Sequence, residues 1–244
     1  MHGVRVFATD LFVPRYVPAR HGAWALRVAG SVLAPGYWSP LVLFENSAAL
    51  FRGDDLWMSL SALEFESQEI GIRSAQGHVL IFGLGMGWAA VATAMREAVT
   101  RVTVVERDPD VLALHRTLGI FEQLPPAARA KLAIVEGDAF AYRPDAPVDL
   151  LMPDIWLPLV SDGRVDEVMR MQANIGARAI YFWGQELEIA RHAVAAGRSL
   201  DAAGIAATVA GWGLPLIGLG TPDYPERLAA ATERWMRDRW LPAS

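Results

Sequence analysis

Four stretches hold residues whose types and spacing can do chemistry. Gly83-Leu84-Gly85-Met86-Gly87 is a glycine loop that closes an apolar run. Glycines there let the backbone turn tightly and let a ligand approach the main chain, and the helix that starts next offers unpaired N–H groups. Glu106 closes a second apolar run, with Arg107 behind it. At about twenty residues past the loop, its carboxylate is placed to accept both hydroxyls of a ribose. Asp138 and Ala139 follow a third run, where Asp138 suits an adenine amino group and Phe140 the face of the ring. Asp154 follows a fourth, where a carboxylate can take a proton from an attacking amine or hydroxyl, or orient it. Each acid alone also fits a plain helix cap or a solvated strand end. A dinucleotide fingerprint would read G-x-G-x-x-G, and Trp88 fills its last position. An indole where the helix should touch the strand argues against a nicotinamide or flavin.

Placing four such tips side by side requires a parallel sheet. From His78 the pattern alternates strand and helix: His78–Phe82, then a helix from Trp88 to Ala98, then Arg101–Val105 and a helix over Pro109–Leu118. Lys131–Val135, Val148–Met152 and Ala179–Trp183 are the remaining strands. Runs apolar at nearly every position are buried on both faces, so the expected fold is α/β with a doubly wound, mostly parallel sheet. The first third reads as short strands (Trp24–Val28, Leu41–Phe44, Ala48–Phe51), with a helix expected from Leu56 to about Ser74. The expected division is a small β-rich segment over 1–55 and an α/β domain over 56–244. The uncharged stretch Ala202–Pro222 is broken by five glycines and by Pro215, and two short buried strands are expected there instead of a membrane helix. The C-terminal helix over Pro225–Trp240 carries an apolar stripe of Leu228, Ala231, Trp235, Met236 and Trp240 that either packs on the domain or makes a homodimer contact.

The chain has 244 residues, 53% of them hydrophobic and 20% charged, which suits a compact core without staples. It has no cysteine, so disulfides, zinc ribbons, iron–sulfur clusters and thiol nucleophiles are excluded together, in keeping with a reducing, cytoplasmic setting. The formal charge of −5 gives nucleic acid no general attraction to the surface. Five scattered histidines show no metal-ligand spacing, and no G-x-S-x-G elbow occurs. The opening residues, with Arg5 and Asp10, lack the unbroken apolar run of a targeting segment. A soluble protein with a small-molecule substrate, and neither nucleic acid nor membrane as partner, is expected.

From His78 to Pro158 the chain resembles the class I S-adenosylmethionine-dependent methyltransferase fold, in the variant typical of spermidine synthases. That variant reads V-L-I-I-G-G-G-D-G-G at its first strand, matched by Val79-Leu80-Ile81-Phe82-Gly83-Leu84-Gly85-Met86-Gly87-Trp88. Its V-E-I-D-P-x-V is matched by Val105–Val111, its G-D-A by Gly137-Asp138-Ala139, and its D-x-I-I-x-D-S-S-D-P by Asp149–Pro158. The resemblance implies S-adenosylmethionine as cofactor, with Gly83 to Gly87, Glu106, Arg107, Asp138, Ala139 and Asp154 around it, and Asp154 as the catalytic acid–base group. Trp57, Trp156 and Trp183 are candidate substrate walls, since a ring face near a sulfonium contributes roughly 0.5–2 kcal/mol. Glu186, after the fifth strand, is a candidate substrate contact. The loop Asp of aminopropyltransferases is Met86 here and the second Asp of the fourth-strand motif is Leu157, while the family's D-E-F-x-Y-H-E falls at best on Asp55–Leu60. Polyamines are therefore not expected as main substrates. The expected reaction is alkyl transfer, most simply methyl, to N or O of a small molecule. The alternatives are use of the aminobutyrate or aminopropyl arm, or a nucleoside-binding protein without catalysis.

Overall fold

The computed structural model describes residues 5–242. Six short strands come first: β1 (Ala19–His21), β2 (Trp24–Val28), β3 (Ser31–Pro35), β4 (Leu41–Glu45), β5 (Ala48–Arg52) and β6 (Asp55–Leu60). They form an antiparallel sheet in the order β1-β2-β5-β6 and a separate β3-β4 ribbon. The chain then alternates through α1 (Ala62–Ser74), β7 (Gly77–Phe82), α2 (Trp88–Ala94), β8 (Val99–Glu106), α3 (Pro109–Leu118), α4 (Pro126–Arg129), β9 (Leu132–Glu136), β10 (Leu150–Pro153), α5 (Arg164–Ile175), β11 (Ala179–Ile180) and α6 (Gln185–Ala195). Two further helices, α7 (Ala202–Ala210) and α8 (Tyr224–Trp235), close the described chain.

The second sheet has the order β11-β10-β7-β8-β9, and all its pairings are parallel. The expected doubly wound α/β architecture is therefore present, together with an N-terminal antiparallel segment. Alternation along β7 explains why both faces are covered. Val79 and Ile81 pack into one cluster with residues of α1, α2, α3, α6 and α8, whereas Leu80 and Phe82 pack into another with Val165, Val168 and Met171 of α5. A strand with both sets of side chains buried has no solvent face, which is why its sequence is continuously apolar.

Two expectations change. The helix expected from Leu56 starts at Ala62, because Leu56–Leu60 pairs in register with β5 (Leu50 opposite Met58, Ala48 opposite Leu60) and becomes strand β6. Ser61 is extended, at φ −148°, and divides the two elements. Trp57 thus stands on a strand. The two strands expected in Ala202–Pro222 are instead α7 followed by a loop with one isolated bridge at Leu216. Asp201 decides this, since its side chain accepts from Gly204 N at 2.8 Å and caps a helix. Of the C-terminal apolar stripe, Leu228, Ala231 and Met236 are buried in the main core and Trp235 is partly buried against it, with α8 lying against α6 and α7, whereas Trp240 is exposed beyond the end of the helix. No helix among the described residues is long and apolar enough to cross a membrane.

The antiparallel segment is tied to the loop after β7. The Tyr16 hydroxyl donates to Met86 O at 3.0 Å, and the Trp88 indole N–H donates to Phe12 O at 3.0 Å. Trp24 on β2 donates to Asp108 Oδ2 at 2.9 Å. These bonds hold the N-terminal segment beside the carboxyl ends of the parallel strands.

Candidate functional site

The chain runs from β7 outward to β8 and β9, then returns to the other side of β7 for β10 and β11. Where the order reverses, between β7 and β10, an open parallel sheet leaves a crevice at its carboxyl edge. A cavity of about 450 Å³ lies there. Gly83, Leu84, Gly85, Gly87, Glu106, Arg107, Asp138, Ala139 and Asp154 all line it, as do Trp57, Trp156 and Trp183. Met86 and Glu186 do not.

Backbone geometry sets the half of the cavity around the glycine loop, the half in which a cofactor is expected from the sequence. Gly83 has φ +93°, and a Cβ at this position would run into the carbonyl oxygen of Asp154. Its N–H donates to Val105 O at 2.9 Å, while Asp154 N donates to Phe82 O at 2.8 Å. Only a residue without a side chain lets the tips of β7 and β10 approach so closely. The next helix, α2, begins with Gly87 left-handed at φ +76° as its N-cap. Met86, between these glycines, turns its side chain fully into the core, so it offers a ligand no side-chain contact.

Glu106 is held by main-chain donors. Its Oε2 accepts from Leu84 N at 2.9 Å and its Oε1 from Asp108 N at 2.8 Å. An ionised carboxylate has about four acceptor directions. Two are used by the backbone, leaving each oxygen a further lone pair toward the cavity. Asp138 is exposed at the tip of β9 and accepts from Phe140 N at 2.9 Å through Oδ1, which turns Phe140 onto the cavity wall. Trp88 is 1% exposed, with its ring centroid 4.2 Å from that of Phe65. The indole fills the volume that a dinucleotide fold leaves to a third glycine.

Side chains set the other half, around Asp154, where an acceptor is expected from the sequence. Asp154 Oδ2 accepts from Gln68 Nε2 at 2.8 Å. Burial pushes the Asp154 carboxyl up to about 7, against the opposing pull of Arg164 and of the Gln68 hydrogen bond. Glu64, 6% exposed on α1, lines the same cavity, and burial together with the Asp154 charge raises its carboxyl well above the usual range. Two adjacent buried carboxyls cannot both ionise cheaply, so one proton stays on the pair near neutral pH. Trp183 donates to Ser67 Oγ at 3.1 Å, and Trp57 lies edge-on to Trp24 at 5.2 Å between ring centroids. Trp156 donates to Glu167 at 2.6 Å, with the Arg164 guanidinium 4.1 Å over its ring.

Three residues of this half escaped the sequence reading. Glu64 and Gln68 fall one turn apart on α1, a helix whose start was misplaced. The region before β7, from which the motif acids are missing, nevertheless supplies a carboxyl. Arg164 is 1% exposed and donates to the carbonyls of Pro158 at 2.7 Å, Trp183 at 3.0 Å and Leu159 at 3.3 Å. It draws together the loops that carry Trp156 and Trp183. Its only sequence signal is a position just after Gly163 at the start of an amphipathic helix.

Glu186 stands outside the cavity. It is wholly buried; its Oε2 accepts from the Tyr37 hydroxyl at 3.3 Å and its Oε1 from the Tyr181 hydroxyl at 3.2 Å. Gly184, at φ +82°, turns the chain straight from β11 into α6, so the second residue of the helix faces inward. Burial raises this carboxyl to about 7, in spite of the tyrosine hydrogen bonds. Through these bonds it links the turn between β3 and β4 to the sheet domain. No group of three or more metal-binding side chains occurs among the described residues.

No family model matches the chain, and no curated protein matches it. Among solved structures, the glycopeptide N-methyltransferase MtfA complexed with S-adenosyl-L-homocysteine aligns at 23% identity over 45% of this chain and 41% of that one, with a TM-score of 0.34. A DhpI–SAM–HEP complex aligns at 18% identity over 46% of each chain, TM-score 0.33. The methyltransferase domain of bacterial CtHen1 aligns at 13% identity over 48% of this chain and 65% of that one, TM-score 0.38. The chain thus spans less than half the length of the first two.

Proposed function

We propose that the protein is an S-adenosylmethionine-dependent transferase that methylates a nitrogen or oxygen of a small molecule. The observation that supports this most is the convergence on one 450 Å³ cavity of the glycine loop, Glu106, Asp138 and Asp154, each at the tip of a successive parallel strand. A nucleoside fits the acceptors present: Glu106 keeps free lone pairs for ribose hydroxyls, and Asp138 keeps Oδ2 for an amino group. The departures from the spermidine synthase-like pattern at Met86 and Leu157 favour methyl over aminopropyl transfer.

When bound, the cofactor would supply an electrophilic methyl group on a sulfonium. The protein's part is mostly positioning and exclusion of water. Asp154 orients the acceptor and takes its proton, and a base with pKa near the operating pH is well matched to that task. Arg164 fixes the two tryptophan loops around it without reaching into the cavity.

The test has two parts. Calorimetry is expected to show S-adenosylmethionine and S-adenosylhomocysteine binding, with no binding of NAD or FAD at the same concentration. Mass spectrometry of nucleosides released during incubation with a metabolite extract is expected to find S-adenosylhomocysteine. Methylthioadenosine in its place would indicate transfer of the other arm.

A further inference from the structure

The cavity carries charge of both signs, carboxyls on its buried wall and guanidiniums at its exposed rim. On its buried wall, Glu64 and Asp154 stand together, and Glu64 accepts no side-chain hydrogen bond from any described residue. A carboxyl taken out of water without a donor loses its solvation and recovers nothing, so the position favours a ligand that brings N–H groups. The protein's own groups facing the pair are committed elsewhere. Tyr16 donates to Met86 O, Arg164 is bound to three carbonyls and Ser161, and Gln68 serves Asp154 alone.

On the exposed rim stand Arg52, Arg237 and Arg239. None of the three has a carboxylate within ion-pair distance among the described residues, whereas Arg73 and Arg227 nearby on α1 and α8 each hold two. Arg52 lies over the Trp24 ring at 5.6 Å, which aims its side chain along the cavity wall. Trp57, Leu63 and Trp183 form the apolar surface between rim and floor.

Resting on the transferase reading above, we propose that the acceptor is a bipolar small molecule, its amine seated between Glu64 and Asp154 and its anionic group, a carboxylate or a phosphate, at the arginine rim. The amine arrives as an ammonium. One N–H bond breaks, its proton forms an O–H bond with Asp154, and the nitrogen keeps the lone pair as the attacking electrons. Glu64 supplies the second acceptor for the cation. A diamine would set its far ammonium against three guanidiniums, and like charges brought together in this way are rejected. A planar guanidinium fork matches a carboxylate or a phosphate in two parallel hydrogen bonds.

The experiment is label transfer from S-adenosylmethionine to matched sets of compounds on common carbon skeletons: amino acids and amino phosphates against monoamines, diamines and monocarboxylates. Binding of S-adenosylhomocysteine is measured in parallel by calorimetry. Turnover confined to the bipolar compounds is expected, with the amino acid and amino phosphate arms separating the two anions. Glu64→Gln and the pair Arg52→Gln with Arg237→Gln are each expected to raise KM about tenfold or more while S-adenosylhomocysteine affinity holds. Turnover confined to diamines or singly charged compounds, turnover of no bipolar compound, or unchanged KM in both variants overturns the inference with the cofactor reading intact. Failure of S-adenosylhomocysteine to bind the wild-type protein removes that reading instead, and this inference with it.

Discussion

The two halves of the cavity hold their carboxylates by opposite means. In the cofactor half, Glu106 and Asp138 accept from backbone N–H groups, and both sit at strand tips partly open to water. In the acceptor half, Glu64 and Asp154 are withdrawn from water, have one side-chain donor between them, and are pushed up in pKa. Backbone donors come with the fold and cost little extra order, so the first arrangement suits a fixed recognition task. The second holds Glu64 well above the usual carboxylate range and Asp154 at about 7, and the latter suits proton transfer. On the proposed function, binding and chemistry divide across the β7–β10 crevice, and variants on either side are expected to separate the two.

The largest expected effect is that of Asp154→Asn. It preserves shape and the Gln68 neighbour while removing the charge, and the single-turnover rate is expected to fall by roughly 10²- to 10⁴-fold. Cofactor affinity by calorimetry is expected to change far less. Normal turnover in a folded Asp154→Asn protein would erase the distinction between the halves. The wild-type rate is also expected to climb as pH rises through about 7, because burial holds Asp154 protonated below that value and the base must be ionised. The groups that set this limb are Glu64 from α1, Gln68 from the same helix and Arg164 from α5.

On the other side, Glu106→Ala is expected to weaken S-adenosylhomocysteine binding by roughly 1.5–3 kcal/mol, the value of hydrogen bonds to a charged acceptor. Saturating cofactor is expected to restore most of its turnover, the inverse of the Asp154 result. Gly83→Ala joins the halves, since its methyl would strike the Asp154 carbonyl in a backbone conformation at φ +93°. A loss of roughly 1–3 kcal/mol in thermal or denaturant unfolding is expected, with binding and turnover both impaired. An unaffected Gly83→Ala protein would mean that the strand tips are not held as closely as described.

The smallest effect belongs to Glu186, away from both halves. Its folded pKa is raised to about 7, above the ordinary carboxylate value, so the folded state binds the extra proton. The stability it contributes is complete below the unfolded pKa and is lost as pH rises through about 7. Asp154, Glu64 and Glu188 shift in the same direction. Glu186→Gln is therefore expected to flatten part of the decline in unfolding free energy between about pH 5 and pH 8, by about 1–2 kcal/mol. Turnover at saturating substrates is expected to stay unchanged, and a lost turnover would return Glu186 to the acceptor half.

What the sequence by itself determined lies in the cofactor half. The glycine loop, Glu106 and Asp138 each follow an apolar run within a few residues, so local periodicity locates the strand and the strand locates its tip. Parallel pairing then does the rest, because tips of adjacent parallel strands necessarily share one edge of a sheet. The acceptor half has no such shortcut. Its walls come from β6, the first turns of α1, the loops after β10 and β11, and the stretch after α8. Reading Leu56–Leu60 as helix hid Trp57's orientation and the first turn that carries Glu64, since only the partner strand β5 makes that stretch a strand. Glu186 and Glu64 look alike in sequence, two acids in the first turn of a helix. Tertiary packing alone sent one into a cage of tyrosines and the other to the wall of the cavity, because burial and partners depend on which distant segment arrives to cover each helix.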